Sequence, residues 1–409
     1  MNLNWLKKKG LNMLVLEDGD VGKTMTHNIL IFTGFVGGHG GAIKASRTYK
    51  ALQEQGENPI LVTESSYVPK LNRFGLIPDI IIEKGSSSED SHRRVKPVLD
   101  SVDYSTMISF GPRTFGPRHA VENDKKVVIV DGGLPPFLGQ LNTDHEKDVY
   151  SQATLYALTC HFPWEMPTDV EEMYGGITTE VLSQPLDKRT EEHFKSLKSG
   201  DTNIVDDVRR KFGLNGRKSL FIQIGYSLFD ERNFESNGGW LKRQEYDLAH
   251  EFIINLLETL QQTEEPPIVF LDASVSAKFE RYISDKRIDV QVYSFLPADE
   301  MVTLSRAVDL NVSRCMRGVT QFQISATGGY DVVCPCPTDY MHEDISATFA
   351  ENLGLIRQFP FNMGELGSSL VEYVGSDHYH FSKERRMESW KQMNEKRNLI
   401  KRILEVHQS

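Results

Sequence analysis

The segment "NILIFTGFVGGHGGAIKASRTYKALQEQG", Asn28 to Gly56, joins three patterns in one run. An apolar stretch ending at Phe32 leads into closely spaced glycines, and then apolar residues recur at helical spacing. This order predicts a strand, a glycine turn and a helix that begins near Ala42. Glycine has no Cβ and a helix N-terminus presents backbone N–H groups, so such a turn suits an anion or a sugar hydroxyl.

Short apolar runs like this strand recur along the chain, in two groups separated by the charged segment 186–218. Because the runs are continuously apolar and rich in Ile and Val, they predict strands buried on both faces of parallel sheets covered by helices. We therefore expect two doubly wound α/β units. The runs are NILIF, PILVT, DIII, TMISF, KVVIV and LYALT in the first group, and SLFIQIG, PIVFLDA, DVQVYSF, DLNVS and DVVCPCP in the second.

Length and composition agree with a two-domain, soluble protein. The 409 residues exceed what one hydrophobic core usually serves, and the net charge of -11 argues against a broad nucleic-acid surface. No apolar run is long enough for a membrane span, and the N-terminal stretch lacks signal-peptide features, so we expect a cytoplasmic protein and leave peripheral membrane contact open. The predicted parts are an extension 1–25, an N-terminal domain 26–200, a C-terminal domain 216–375, and a C-terminal helix 376–409 that returns to the first domain.

Three short motifs are set aside. "GDVGKT", Gly19 to Thr24, ends like a phosphate-binding P-loop but has Glu17 where that motif needs glycine. The cysteines of "CPCP" fit no zinc spacing, and we expect no metal site. The glycine turn fits the dinucleotide fingerprint only with mismatches, and Glu64 is the one acidic residue that closes the next strand.

The stretch "FLPADEMVTLSRAVDLNVSRCMRGVTQFQISATGGYDVVCPCP", Phe295 to Pro337, resembles the donor-binding region of nucleotide-sugar glycosyltransferases of the two-domain GT-B fold. The likeness is strongest to the family of the N-acetylglucosaminyltransferase that makes lipid II. It implies two Rossmann-like domains facing an interdomain cleft and a nucleoside diphosphate sugar, with UDP favoured, as donor substrate rather than a bound cofactor. The resemblance implies donor contacts from Gly225, Ser227, Phe295, Leu296, Arg314, Arg317, Gly318, Thr320, Gln323, His342 and Glu343.

The chain departs from that family's pattern at several donor positions. Gln323 replaces the acidic residue that holds the donor ribose, and an amide binds hydroxyls more weakly than a carboxylate does. Met316 and Arg317 stand where Gly and Ala are usual, and Arg317 is either a pyrophosphate ligand or a surface residue. These changes leave the donor's identity open.

Sugar transfer needs a base for the acceptor hydroxyl and positive groups or N–H dipoles for the leaving diphosphate. His39 is the preferred base, with a phosphate-binding and a purely structural role as alternatives, and Asp131 and His161 are competing bases. The resemblance implies metal-independent, inverting chemistry. The turn glycines expected to admit substrate are Gly37, Gly38 and Gly40.

The acceptor is not identified by the sequence. The segment 109–124 carries two FGPR copies, and its Arg113, Arg118 and His119 either receive an acidic acceptor or merely solvate a loop. A glycosyltransferase is the leading interpretation. A sugar-nucleotide hydrolase or epimerase on the same scaffold, and a non-catalytic nucleotide-sugar-binding subunit, are the alternatives.

Overall fold

The computed structural model describes two parallel sheets and the helices that connect them. The described residues are 28–33, 39–83, 88–110, 115–131, 149, 151–159, 179–186, 188–214, 216–223, 236, 243–272, 278–284, 288–293, 296, 298–313, 331–333, 351, 356–358 and 398–409.

The first sheet has seven strands in the order β3-β2-β1-β4-β5-β6-β7, all parallel. Its order reverses between β1 and β4, and there the connections pass to opposite faces of the sheet. The strands are β1 Ile29–Thr33, β2 Ile60–Glu64, β3 Ile80–Ile82, β4 Thr106–Ser109, β5 Lys126–Asp131, β6 Leu155–Leu158 and β7 Thr179–Val181.

The second sheet repeats this plan with six parallel strands in the order β10-β9-β8-β11-β12-β13. The order reverses between β8 and β11. The strands are β8 Ser219–Gln223, β9 Ile268–Asp272, β10 Asp289–Tyr293, β11 Leu310–Ser313, β12 Asp331–Val333 and β13 Ile356–Gln358. Two doubly wound α/β units, as predicted from the continuous apolar runs, are thereby confirmed.

All the described helices except the last lie between strands in sequence, and they cover the sheets. They are α1 His39–Glu54, α2 Val68–Arg73, α3 Ser88–Asp100, α4 Phe115–Glu122, α5 Lys188–Ser199, α6 Asn203–Lys211, α7 Arg243–Gln261, α8 Glu280–Ile283, α9 Ala298–Ala307 and α10 Leu399–Gln408. Among the described helices, none combines the length and apolar character that a membrane span requires.

The helix α10 packs on the first sheet although it lies at the far end of the chain. Asn398 caps it by accepting hydrogen bonds from the N–H groups of Ile400 and Lys401. Its apolar side shares a core cluster with β1, β4, β5 and α1. At its C-terminal end, Nδ1 of His407 lies 2.9 Å from Oγ1 of Thr106 at the start of β4. The chain therefore ends on the sheet with which its described part begins.

The helices α5 and α6, which precede the second sheet, contact α9 of that unit. Nε2 of buried His193 lies 2.8 Å from Oγ1 of Thr303, and Arg306 donates to the His193 carbonyl. Because Nη1 of Arg306 also faces Nδ1 of His193 at 3.3 Å, that nitrogen accepts and Nε2 carries the hydrogen. The domain boundaries inferred from the sequence stay predictions.

Two elements differ from expectation. The helix α1 begins at His39 rather than near Ala42, because N–H groups in a first turn need no helical partner and glycines there are tolerated. The segment 109–124, expected as a loop, contains the helix α4. Its Pro117 is the third helical residue, where a missing N–H costs nothing.

Candidate functional site at the carboxyl edge of the sheets

Doubly wound sheets bind ligands beyond the carboxyl ends of their strands, at the point where the strand order reverses. In the first sheet this point lies between β1 and β4, where Phe32 pairs with Ser109. Thr33, the last residue of β1, donates a hydrogen bond from its buried hydroxyl to that of Thr63 on β2, at 3.0 Å. The two strands are therefore hydrogen-bonded up to the end of β1, after which the glycine-rich segment 34–38 follows in sequence.

The first turn of α1 is held by Tyr67, which lies in the connection between β2 and α2. The hydroxyl of Tyr67 accepts a hydrogen bond from the backbone N–H of Ala42. The same oxygen lies 2.7 Å from the position that a Cβ on residue 41 would occupy, so only glycine fits there without a shift. Burial raises the pKa of Tyr67 to about 12, against the opposing effect of the Ala42 bond, so the phenol is neutral at physiological pH.

Glu64, the last residue of β2, is a buried carboxylate at this edge. Only 1% of the residue is exposed. Oε1 accepts a hydrogen bond from the hydroxyl of Ser66 at 2.5 Å, whereas Oε2 is buried and has no hydrogen-bond partner in the structure as described. Buried carboxylate oxygens are normally satisfied, so this one calls for an explanation.

At the other side of the same edge, Asp131 ends β5 and pairs with Leu158 of β6. Beyond β6 and β7, Gln184 donates from Nε2 to the hydroxyl of Thr159 at 2.7 Å. Oε1 of Gln184 is the other buried side-chain oxygen without a partner among the described residues. The carboxyl edge thus carries hydrogen-bond acceptors that the fold itself does not use.

The second sheet has a polar group at the equivalent position. Gln223 ends β8 and pairs with Ser313, which ends β11. Its Nε2 faces the Ser305 hydroxyl at 3.2 Å and Oδ1 of Asn311 at 3.3 Å, and Asn311 in turn donates to the Ser305 carbonyl. The strands β8 and β11 are adjacent in the sheet. In sequence, the predicted donor residues Ser227 and Arg314 follow β8 and β11, respectively.

Most predicted donor residues lie outside the described part of the chain. Leu296 is described, and it packs half-buried against the core cluster of the second sheet, three residues beyond the end of β10. His39 and Gly40 are placed as the first two residues of α1, and Asp131 as the end of β5; their side chains are not described. Outside the description lie Gly37, Gly38, Gly225, Ser227, Phe295, Arg314, Arg317, Gly318, Thr320, Gln323, His342, Glu343, His161 and Arg113.

Two residues weighed as acceptor ligands have structural partners instead. Arg118 forms an ion pair with Glu122 one turn along α4, at 2.7 Å. His119 is buried, with Nε2 at 2.7 Å from a carboxylate oxygen of Asp100 and Nδ1 at 3.0 Å from the Tyr104 hydroxyl. Because a carboxylate only accepts, Nε2 carries the hydrogen. His119 is therefore used by the fold, whereas Arg118 is exposed and its ion pair with Glu122 is of the weak surface kind.

The electrostatics of this cluster follow from its bonds. Hydrogen bonding from His119, helped by Lys96, holds the pKa of Asp100 below its usual value. Burial, with the nearby Asp100 charge, raises the pKa of Tyr104 well above that of a free phenol. In the residues that the structure describes, no group of three or more His, Cys, Asp or Glu side chains is placed to hold a metal ion.

Solved structures resemble the whole chain. MurG from Acinetobacter baumannii matches with a TM-score of 0.55 at 15% identity, over 94% of this chain and 99% of that one. CalG4, the calicheamicin glycosyltransferase, matches with a TM-score of 0.55 at 12% identity, over 94% and 98%. Both belong to the GT-B glycosyltransferases. The chain has the GT-B fold.

The GT-B fold is shared by proteins with other activities. UDP-GlcNAc 2-epimerase from Neisseria meningitidis, solved bound to UDP-GlcNAc, matches with a TM-score of 0.60 at 13% identity, over 93% of this chain and 99% of that one. No protein-family model and no curated protein matches the sequence. Since all these identities are low, the likeness establishes the fold, and function has to be argued from the site.

Proposed function

We propose that this protein is a glycosyltransferase that moves a sugar from a nucleoside diphosphate sugar to a hydroxyl acceptor, with inversion and without a metal ion. The observation that carries the proposal is the combination of a GT-B fold with a glycine turn that ends in His39, the first residue of α1. The donor-like stretch Phe295 to Pro337 supports the donor class, with UDP favoured.

In the proposed mechanism, His39 takes the proton of the acceptor hydroxyl while the hydroxyl oxygen bonds to the anomeric carbon and the bond from that carbon to the diphosphate breaks; Asp131 is the alternative base. The diphosphate leaves toward the second domain, where Ser227 and Arg314 follow the adjacent strands β8 and β11. Backbone N–H groups and an arginine fork stabilise the charge on the leaving phosphate in place of a metal. Activity that persists in excess chelator is the expected behaviour.

Epimerisation or hydrolysis of a sugar nucleotide is the second candidate function. The GT-B likeness to UDP-GlcNAc 2-epimerase favours it. Sugar release or isomerisation without an acceptor distinguishes these reactions from transfer.

A thermal-shift screen across UDP-, GDP- and TDP-sugars tests the donor class. A ligand at 100 times its dissociation constant adds about 2.7 kcal/mol to the free energy of unfolding, which is readily seen. We expect UDP-sugars to give the largest shift. If no sugar nucleotide shifts the melting temperature relative to nucleotide-free buffer, the proposal is wrong.

A further inference from the structure

We infer that Glu64 is a binding residue for the hydroxyl groups of a sugar ring, at the carboxyl edge of the first sheet. The inference deepens the proposed function and rests on it, since it assigns the chemical class of the acceptor. It begins from the buried, unpartnered Oε2 of Glu64.

Glu64 stands at a position in the sheet where doubly wound folds bind ligands. Glu64 is the last residue of β2, and Thr63 before it pairs with Thr33, the last residue of β1. Parallel strands end at one edge, so Glu64 lies at the edge where doubly wound folds bind ligands, one strand from the order reversal. In that position an acidic side chain is suited to the hydroxyls of a ribose or another sugar.

The direction of the side chain follows from strand alternation. Leu61 shares a core cluster with Ala42 and Ala45 of α1, so Leu61 and Thr63 face α1. Glu64 therefore points to the opposite face, the one on which the Phe32 ring contacts α4 at Gly116. On that face Glu64 follows Val62 and is the last residue of β2, at the carboxyl edge of the sheet.

The chemistry of the site favours a neutral O–H donor over a cation. Oε1 is already satisfied by the hydroxyl of Ser66, which is itself neutral. An ammonium group at a site this buried would lose most of its hydration, whereas a hydroxyl loses much less and still donates a charge-assisted hydrogen bond. A sugar ring supplies such donors, and it fits an enzyme that transfers sugars to hydroxyls.

The test measures the binding of neutral disaccharides (cellobiose, maltose, lactose and chitobiose) by saturation-transfer NMR, with UDP present and absent. The variants are Glu64→Leu and Glu64→Gln, with Glu83→Gln as the matched control, because Glu83 directly follows β3, is exposed and accepts only from Ser65 in the described structure. We expect a disaccharide to bind the wild type and the control equally. Its affinity should fall about 10- to 100-fold in Glu64→Leu and less in Glu64→Gln, which keeps one acceptor oxygen.

Calorimetry with UDP separates the possible sources of the hydroxyls. A loss of UDP affinity in Glu64→Leu, with disaccharide binding unchanged, would assign the carboxylate to a nucleotide ribose. If disaccharides bind through Glu64 but no sugar nucleotide binds, the hydroxyl site stands and the transferase proposal fails. Disaccharide binding that is absent in the wild type or equal in all variants, or putrescine binding that depends on Glu64, would overturn the inference. Urea unfolding of each variant establishes that it folds.

Discussion

The two edges of the first sheet use their polar residues differently. At the amino edge, His407 bonds to Thr106, Lys126 bonds to the His407 carbonyl, and His119 joins Tyr104 to Asp100. At the carboxyl edge, buried oxygens of Glu64 and Gln184 have no partner among the described residues. A fold tolerates such oxygens at a cost, and sites of function are where such costs are usually found.

This difference predicts which replacements change stability and which change ligand binding. Replacing an amino-edge residue should lower stability and leave ligand binding intact, since its partners belong to the protein. Replacing a carboxyl-edge residue whose buried oxygen has no protein partner, as in Glu64, should weaken binding or turnover and leave stability nearly unchanged.

The largest effect is expected at His39, the first residue of α1. As the base, His39→Ala should lower turnover by about 10²- to 10⁴-fold and leave donor affinity nearly unchanged. As a phosphate ligand, it should lose donor affinity along with turnover. Steady-state kinetics with calorimetry of the donor distinguishes the two. Full activity in a folded variant would transfer the role of base to Asp131 and weaken the contrast.

The matched histidine at the amino edge is His119. His119→Ala should lower the free energy of unfolding by about 2 to 4 kcal/mol, because it opens a cavity and leaves the buried Tyr104 hydroxyl without its partner. Donor affinity should stay at the wild-type value. Urea denaturation and calorimetry on the same preparation check both statements, and a selective loss of binding would contradict the structural role.

A smaller effect on stability is expected for Glu64→Gln. The amide keeps the shape of the side chain. It replaces a buried carboxylate that has one oxygen without a hydrogen-bond partner in the described structure. The free energy of unfolding should therefore lie within about 1 kcal/mol of the wild-type value, or above it. Chemical denaturation measures this. A large loss of stability would mean that the carboxylate supports the fold rather than a ligand.

The smallest effect concerns acid stability at Asp100. Its folded pKa is lowered below the ordinary 3.8 by His119 and Lys96, so the carboxylate adds stability that is present above the unfolded pKa and is lost as pH falls through the folded pKa. The wild type should therefore lose stability more steeply than Asp100→Asn below a pH of about 4. Thermal unfolding across this range tests it, and parallel curves would contradict the assignment.

The sequence predicted the sheets well because their strands are continuous apolar runs. Strands such as β1 and β5 were placed to within a residue of their bounds. The short strands β7 and β13 were missed, since "TEV" and "IRQ" have only three residues and each contains a charged or polar side chain. The helix α4 was missed because its Gly-Pro pair usually indicates a loop, whereas in a first turn both residues are tolerated.

The candidate site was predictable only as a location. The glycines and the strand ends indicate the edge, because parallel strands place their carboxyl ends together. The free oxygen of Glu64 could not be foreseen, because its isolation depends on which neighbours reach it, and only Ser66 does so in the described structure. The burial of His119 is likewise a tertiary fact, since Asp100 and Tyr104 come from other connections.

The most direct test of the account follows the anomeric protons by NMR while the protein acts on a UDP-sugar in the presence of the disaccharide panel and a chelator. Inverting transfer predicts loss of the donor's anomeric signal, release of UDP, and a new glycosidic signal of inverted configuration on the acceptor. Retained configuration, free sugar, an isomerised sugar nucleotide, or turnover only after a metal is restored would contradict inverting, metal-independent transfer.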